Sequence, residues 1–113
     1  MSSEPARAQH ESHPARRMTV FIEYGDRAGR RHIYFEILKR ARRAKLAGLT
    51  TFQGDLGYGY SGRLHHTRLL VQDSPLSVVI VDLPERVDAF IEEIGDLVSE
   101  AFMVVADVDV VEP

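Results

Sequence analysis

The side chains best suited to chemistry lie together in one glycine-rich segment, residues 57–68. Its three glycines allow successive backbone N–H groups to point into one concavity, an arrangement that binds anions. Two arginines add donors that can hold a phosphate bidentately, and two histidines exchange protons near neutral pH. The segment therefore predicts a site for a nucleotide or another small anion, formed by Gly57, Tyr58, Gly59, Ser61, Gly62, Arg63, His65, His66 and Arg68.

Other interpretations of this segment remain open. The spacing Gly57-x-Gly59-x-x-Gly62 matches the dinucleotide-binding fingerprint, but that fingerprint follows the first strand and opens a helix, whereas here it follows a predicted second strand. A flexible hairpin loop that binds nothing is the plain structural alternative. His65 and His66 are adjacent and would point to opposite faces of a strand, so we expect no metal site there.

Enzymatic chemistry finds little support in the residues. The chain has no cysteine, which excludes thiol nucleophiles, disulfides and Cys-based metal sites. A small hydrolase with His65 or His66 as its base is one hypothesis, but no nucleophile or paired acid accompanies these histidines. We therefore expect a binding protein with no catalytic residues.

Four strands and two helices are predicted to position this segment. Strands are rich in β-branched residues or alternate apolar with polar ones, and the helices show apolar residues at helical spacing. The order β-α-β-β-α-β predicts an α+β domain of ferredoxin-like type, with an antiparallel sheet and two helices on one face. The predicted strands are 19–24, 49–56, 76–82 and 103–111, and the helices run from about 31 to 46 and from 84 to 98.

Individual elements carry sharper expectations. Phe90 and Ile94 belong to the clearest helical periodicity and should be buried against the sheet, and Gly48 should provide the left-handed cap of the first helix. In the last strand, the alternating series that includes Val104 and Val110 should be buried. The bare second face of the sheet should then be half apolar and suited to association, with Phe21, Glu23, Val105, Asp107, Asp109 and Val111 on it.

The 113 residues suffice for one domain. Residues 1–17 are polar and are predicted to form a disordered N-terminal tail, which leaves 18–113 as the folded domain. Neither a secretory signal nor a run of about 20 apolar residues is present. We therefore expect a cytoplasmic protein that does not insert into a membrane.

The chain has a net formal charge of −3, and its charged residues are distributed unevenly along the sequence. Basic residues crowd the first predicted helix, whereas the second carries Glu85, Asp88, Glu92, Glu93 and Asp96. Complementary charges within the molecule or between subunits explain this better than a nucleic-acid surface. An RNA-binding domain of this fold would also need stacking aromatic residues on its central strands, and 77–83 has none.

Three stretches resemble the PII-like family known as domain of unknown function 190 (DUF190). They are residues 19–24, the run Gly57-Tyr-Gly-Tyr-Ser-Gly-Arg-Leu-His-His, and 76–82 followed by Pro84-Glu85-Arg86-Val87. The resemblance spans about residues 18–112 and implies a ferredoxin-like fold, a trimer, and genes found near those of fluoride channels.

The resemblance also implies a regulatory role. PII regulators bind adenine nucleotides between subunits, and a mobile loop between strands two and three reports the ligand to a partner, often a channel or transporter. Residues 57–68 correspond to that loop by position. The connection Asp82-Leu-Pro-Glu-Arg86 departs from the family because it is short and lacks the glycines of the PII phosphate loop. A structural or adaptor subunit without a ligand is the alternative function.

Overall fold

The computed structural model describes residues 11–54, 56–58, 64–66 and 74–112, with side chains described in 11–54 and 74–112. Eight strands and two helices are defined in these ranges. The strands are β1 (Glu11–Glu23), β2 (Arg27–Ala28), β3 (Arg31–His32), β4 (Gly48–Gln53), β5 (Leu56–Tyr58), β6 (Leu64–His66), β7 (Pro75–Asp82) and β8 (Phe102–Glu112), and the helices are α1 (Ile33–Arg43) and α2 (Pro84–Glu93).

Four of the strands form one antiparallel sheet in the order β4-β7-β1-β8. The pairs β2–β3 and β5–β6 form separate two-stranded hairpins. Both helices pack on the same face of the four-stranded sheet, because their buried side chains share one core with alternate residues of β1 and β7. This arrangement confirms the predicted ferredoxin-like α+β fold.

The core lies between that sheet face and the helices. Its strand side chains follow the period of two that places alternate residues on one face. The helices contribute Ile37 and Ala41 from α1, and Val87 and Phe90 from α2. Phe90 is 2% exposed and Ile94 is fully buried, so the predicted core face of the second helix is confirmed.

Both helices are shorter than predicted. α2 starts with Pro84 in its first turn, as expected, but ends at Glu93, and the next turns carry the buried Leu97 and Val98. α1 ends at Arg43, and the left-handed residue after it is Lys45, with φ of 59°. The prediction for Gly48 is wrong, since Gly48 begins β4 instead.

The N-terminal boundary differs from the prediction. β1 begins at Glu11, so residues 11–17, which their composition places in a disordered tail, belong to a strand. These residues are polar, but β8 supplies backbone partners as far as the pair Glu11–Glu112. Backbone pairing does not depend on side-chain polarity, which explains why composition missed this extension. Residues 1–10 lie outside the described part of the chain.

β8 also faces the opposite way from the prediction. Its register places Met103 opposite Val20 and Val104 opposite Thr19, and directly opposed residues share a face of the sheet. Because Val20 is buried under the helices, the alternating series that includes Val104 points away from them, and the series that includes Asp107 lies on the helix side. Apolar residues occur at both alternations of β8, so the period of two could not identify the helix side.

Candidate functional site

The segment predicted to bind an anion includes a hairpin inserted between β4 and β7. β5 pairs with β6 so that Gly57 lies opposite His65 and Tyr58 lies opposite Leu64. His66 is the last residue of β6 and pairs with Leu56. The backbone thus brings four of the predicted site residues into one ladder. The others, Gly59, Ser61, Gly62, Arg63 and Arg68, lie outside the described residues.

The two ends of this insertion are held together at one end of the sheet. The N–H of Gly54, just after β4, donates to the carbonyl of Pro75 at 2.8 Å, and the N–H of Tyr24 donates to the carbonyl of Ser74 at 2.9 Å. The chain therefore leaves and re-enters the sheet at neighbouring points.

An aromatic cluster that the sequence analysis missed lies beside the base of the hairpin. The rings of Tyr24 and Tyr34 stack with centroids 5.0 Å apart, and the His32 ring lies 5.6 Å and 5.4 Å from them. The Tyr34 hydroxyl donates to the Tyr24 hydroxyl at 3.3 Å. This hydrogen bond, together with burial, raises the pKa of Tyr34. The cluster connects the start of α1 to the end of β1, next to Ser74, where the chain re-enters the sheet.

A second group of polar contacts lies at the opposite end of the sheet, in the connection from β7 to α2. The Asp82 carboxylate accepts hydrogen bonds from the N–H groups of Ala47 at 2.7 Å and Leu83 at 2.6 Å. Arg86 lies 3.2 Å from that carboxylate and donates to the carbonyls of Ala44 and Lys45, which directly follow α1. Asp82 and Arg86 thus fasten the end of α1 to the sheet.

The electrostatics of Asp82 follow from these contacts. Burial acts to raise the pKa of this carboxyl, but the two backbone donors and Arg86 outweigh it, so its pKa lies below the ordinary value. Asp82 and Arg86 are therefore both occupied by contacts within the chain. In this connection, the side chains of Asp82 and Arg86 stabilise the fold.

Other ion pairs join elements of the same molecule. Arg16 lies between Asp88 of α2 and Asp107 of β8, each at 2.7 Å. Arg40 joins the two helices by donating to Asp96 at 2.9 Å and to the carbonyl of Glu93 at 3.1 Å. The expected use of the basic residues of α1 in charge complementarity is therefore confirmed for Arg40.

The face of the sheet opposite the helices is mostly apolar. Its residues form three rows across the four strands, in the order β4, β7, β1 and β8, and we call these three rows the open face. Phe52, Phe21 and Phe102 of the first row are 59%, 43% and 47% exposed. The rows are Phe52, Ser77, Phe21 and Phe102; Thr50, Val79, Thr19 and Val104; and Gly48, Val81, Arg17 and Ala106.

Neither a metal-binding group nor a membrane-spanning helix occurs in the described part of the chain. In those ranges, histidine and carboxylate side chains form no group of three or more that could hold a metal ion. Neither of the helices defined there has the length and apolar character needed to cross a membrane. The hairpin, the aromatic cluster at its base and the open face are candidate features for function.

The fold and the inserted hairpin define a class, the PII-like proteins of ferredoxin-like architecture. The family model DUF190, described as "Uncharacterized ACR", matches residues 15–110. Since that match covers most of the chain, the protein belongs to the DUF190 family. The resemblance noted in the sequence is thereby confirmed.

Solved structures of PII-like proteins share this fold. CPII from Thiomonas intermedia K12, a nitrogen regulatory PII-like protein bound to ADP, AMP and bicarbonate, matches with a TM-score of 0.70 and 16% identity, over 88% of this chain and 91% of that one. A putative PII-like signaling protein from Thermus thermophilus matches with a TM-score of 0.62 and 9% identity, over 90% and 92% of the two chains. At these identities the likeness establishes the fold.

Proposed function

We propose that this protein is a PII-like regulatory subunit without enzymatic activity, which binds a small anionic ligand at the hairpin formed within residues 57–68. An adenine nucleotide is the ligand that we favour. The subunit assembles as a trimer in the cytoplasm and reports the bound ligand to a partner protein, such as a membrane channel or transporter.

The observation that carries this proposal is the glycine-rich hairpin inserted between β4 and β7, with both ends fixed at one end of a PII-like sheet. The sequence of this hairpin offers glycine backbone and arginine donors together. Asp82 and Arg86 are engaged elsewhere, which favours the hairpin over the β7–α2 connection as the anion site.

The ligands of similar proteins support the same chemistry. Solved structures of CPII contain ADP and AMP together with bicarbonate in one case and acetate in another. All four are anions, and two are adenine nucleotides. By analogy of fold, we infer that the ligand of this chain is an adenine nucleotide, a small oxyanion such as bicarbonate or acetate, or both.

The open face supports the proposed assembly. Three half-exposed phenylalanines in one row are unusual on the surface of a monomer, where large contiguous apolar patches mark association sites. The same observation favours the second candidate function, an adaptor or structural subunit that assembles and binds no small molecule. The two candidates differ in their ligand, so a binding measurement separates them.

The experiment that tests the proposal is calorimetric titration of the full chain with ADP, AMP and ATP. The wild-type protein should bind at least one of them. Arg63→Ala should weaken binding by about 1.5–3 kcal/mol, the range of a hydrogen bond to a charged group. If the anion nest requires a positive φ at Gly59, Gly59→Val should weaken binding comparably, because a β-branched residue tolerates that conformation poorly.

The matched control is Arg42→Ala, which removes an exposed arginine of α1 that has no ion-pair partner among the described residues. It should leave nucleotide affinity unchanged. Failure of the wild-type chain to bind any of the three nucleotides would favour the adaptor function. Equal binding by wild type and both hairpin variants would place the site outside residues 57–68.

A further inference from the structure

Arg17 is the one charged side chain in the three rows of the open face, all of which lie in the described part of the chain. It is exposed, and its neighbours in the third row are Val81 and Ala106. The adjacent Arg16, on the helix side, pairs with two carboxylates. Among the described residues, by contrast, no carboxylate forms an ion pair with Arg17.

The surroundings of Arg17 suit an anion better than they suit a protein carboxylate. The other side chains of the open face that can form hydrogen bonds are hydroxyls: Ser77, Thr19 and Thr50. The acidic residues of β1 on this face are Glu11 and Glu23, each six residues from Arg17. At about 3.3 Å per residue, these carboxylates lie about 20 Å away along the strand.

Covering the open face would bury the charged side chain of Arg17. The assembly in the proposed function removes water from this face, and burying an unpaired charge is strongly unfavourable. If copies pack their open faces around one another, each brings an arginine and hydroxyls from these rows but no carboxylate. The assembled interface then has an excess of positive charge.

We propose that Arg17 binds a small oxyanion, of the carboxylate or phosphate class, enclosed between copies of this chain. A guanidinium holds such groups bidentately, and Thr19 lies two residues away on the same face. This inference rests on the proposed assembly, but the site is separate from the hairpin: Arg17 is six residues from the strand end, Glu23, beside which the hairpin begins.

The proposed site makes the assembly sensitive to oxyanions. An oxyanion that binds only the assembled, folded protein stabilises it by mass action as its concentration rises. Chloride at the same ionic strength screens charge equally but offers no bidentate partner. The response to acetate or phosphate, measured against chloride, therefore reports binding rather than general screening.

The test compares full-length wild type with Arg17→Met, Arg17→Lys and the matched control Arg43→Met, which removes an exposed charge from α1. Melting temperature and mass are measured in acetate, inorganic phosphate and chloride at constant ionic strength. Wild type and Arg43→Met should be stabilised by acetate or phosphate. Arg17→Met should remain assembled with an apparent oxyanion affinity at least tenfold weaker, and Arg17→Lys should respond to an intermediate degree.

Several results would overturn the inference, and they can be told apart. If wild type assembles but is not stabilised by oxyanions, the Arg17 site is rejected and the proposed assembly stands. If wild type is monomeric, both the Arg17 site and the proposed assembly are rejected. If Arg17→Met dissociates in every buffer while Arg17→Lys assembles, a carboxylate of a neighbouring copy is the partner of Arg17, and the small-anion site is rejected. An unchanged response in Arg17→Met places the anion elsewhere.

Discussion

At the scale of single residues, Asp82 shows how one side chain can serve several elements at once. Its carboxylate joins the residue before β4, the start of α2 and Arg86 through contacts with the Ala47 N–H, the Leu83 N–H and the guanidinium. Charged groups with this many donors are stabilised in the ionised form. In the sequence Asp82 looks like part of a short acidic loop, but in the fold it holds several elements together.

We expect Asp82→Asn to destabilise the domain at neutral pH by about 1–3 kcal/mol, because an amide cannot accept from all of these donors and leaves a buried N–H unpaired. The pKa of Asp82 is lower in the folded chain than the value of about 3.9 for an unfolded one. Its contribution is therefore complete above that unfolded pKa and disappears as the pH falls through the folded pKa.

Urea unfolding at pH 7, and in steps from pH 5 to pH 2, measures this effect. The difference in stability between wild type and Asp82→Asn should shrink at the acidic end. Glu92→Gln is the control, since Glu92 is an exposed carboxylate of α2 without an ion-pair partner among the described residues. A difference that does not change with pH would show that the charge of Asp82 is unimportant.

At the scale of elements, α2 is the best example of a helix stabilised by its buried face. Val87 and Phe90 are buried within it, and Ile94 is buried at its C-terminal cap. A ten-residue helix is marginal by itself in water, so packing against the sheet must provide most of its stability. Pro84 in the first turn fixes where the helix begins.

Phe90→Ala should cost about 3–5 kcal/mol and Ile94→Ala about 2–5 kcal/mol, because each leaves a cavity in a closed core. Chemical denaturation followed by circular dichroism provides the measurement. Val111→Ala, at a residue that is 59% exposed, should change stability by no more than about 0.5 kcal/mol. A loss near zero for Phe90→Ala would contradict the core assignment.

At the scale of the whole molecule, the domain presents two different surfaces. Ion pairs such as Arg40–Asp96 join the helices on one side, whereas the other side is the open face with its row of phenylalanines. A sheet face of this composition is stable in water mainly when another surface covers it. We have proposed that further copies of the chain do so.

Phe21→Asp should dissociate the assembly, because it introduces a charge at the centre of the apolar row. The matched control is Phe35→Asp on α1. Phe35 is 46% exposed and Phe21 is 43% exposed, so the two substitutions change similar surfaces on opposite sides of the molecule. Light scattering at micromolar concentration should give a trimer for wild type and Phe35→Asp and a smaller species for Phe21→Asp. The reverse pattern would place the interface on the helices.

Local patterns determined which elements form. Examples are the β-branched run in β7, the helical spacing around Phe90 and the proline at position 84. Such patterns depend only on neighbouring residues, and they predicted the four main strands, the two helices and their order. The family resemblance was likewise contained in short runs of sequence. The predicted anion site is also a local pattern, and its ligand stays a prediction.

Tertiary structure decided which groups meet over long distances. The extension of β1 to Glu11 depends on backbone partners in β8, and the direction that Val104 faces depends on the register of the same pair. The aromatic cluster and the contact of Asp82 with Ala47 also join residues that are remote or unremarkable in sequence. Periodicity identifies the two faces of a strand but not what covers each of them. Only the register of the four strands shows that Arg17 is the one charged side chain in the three rows of the open face.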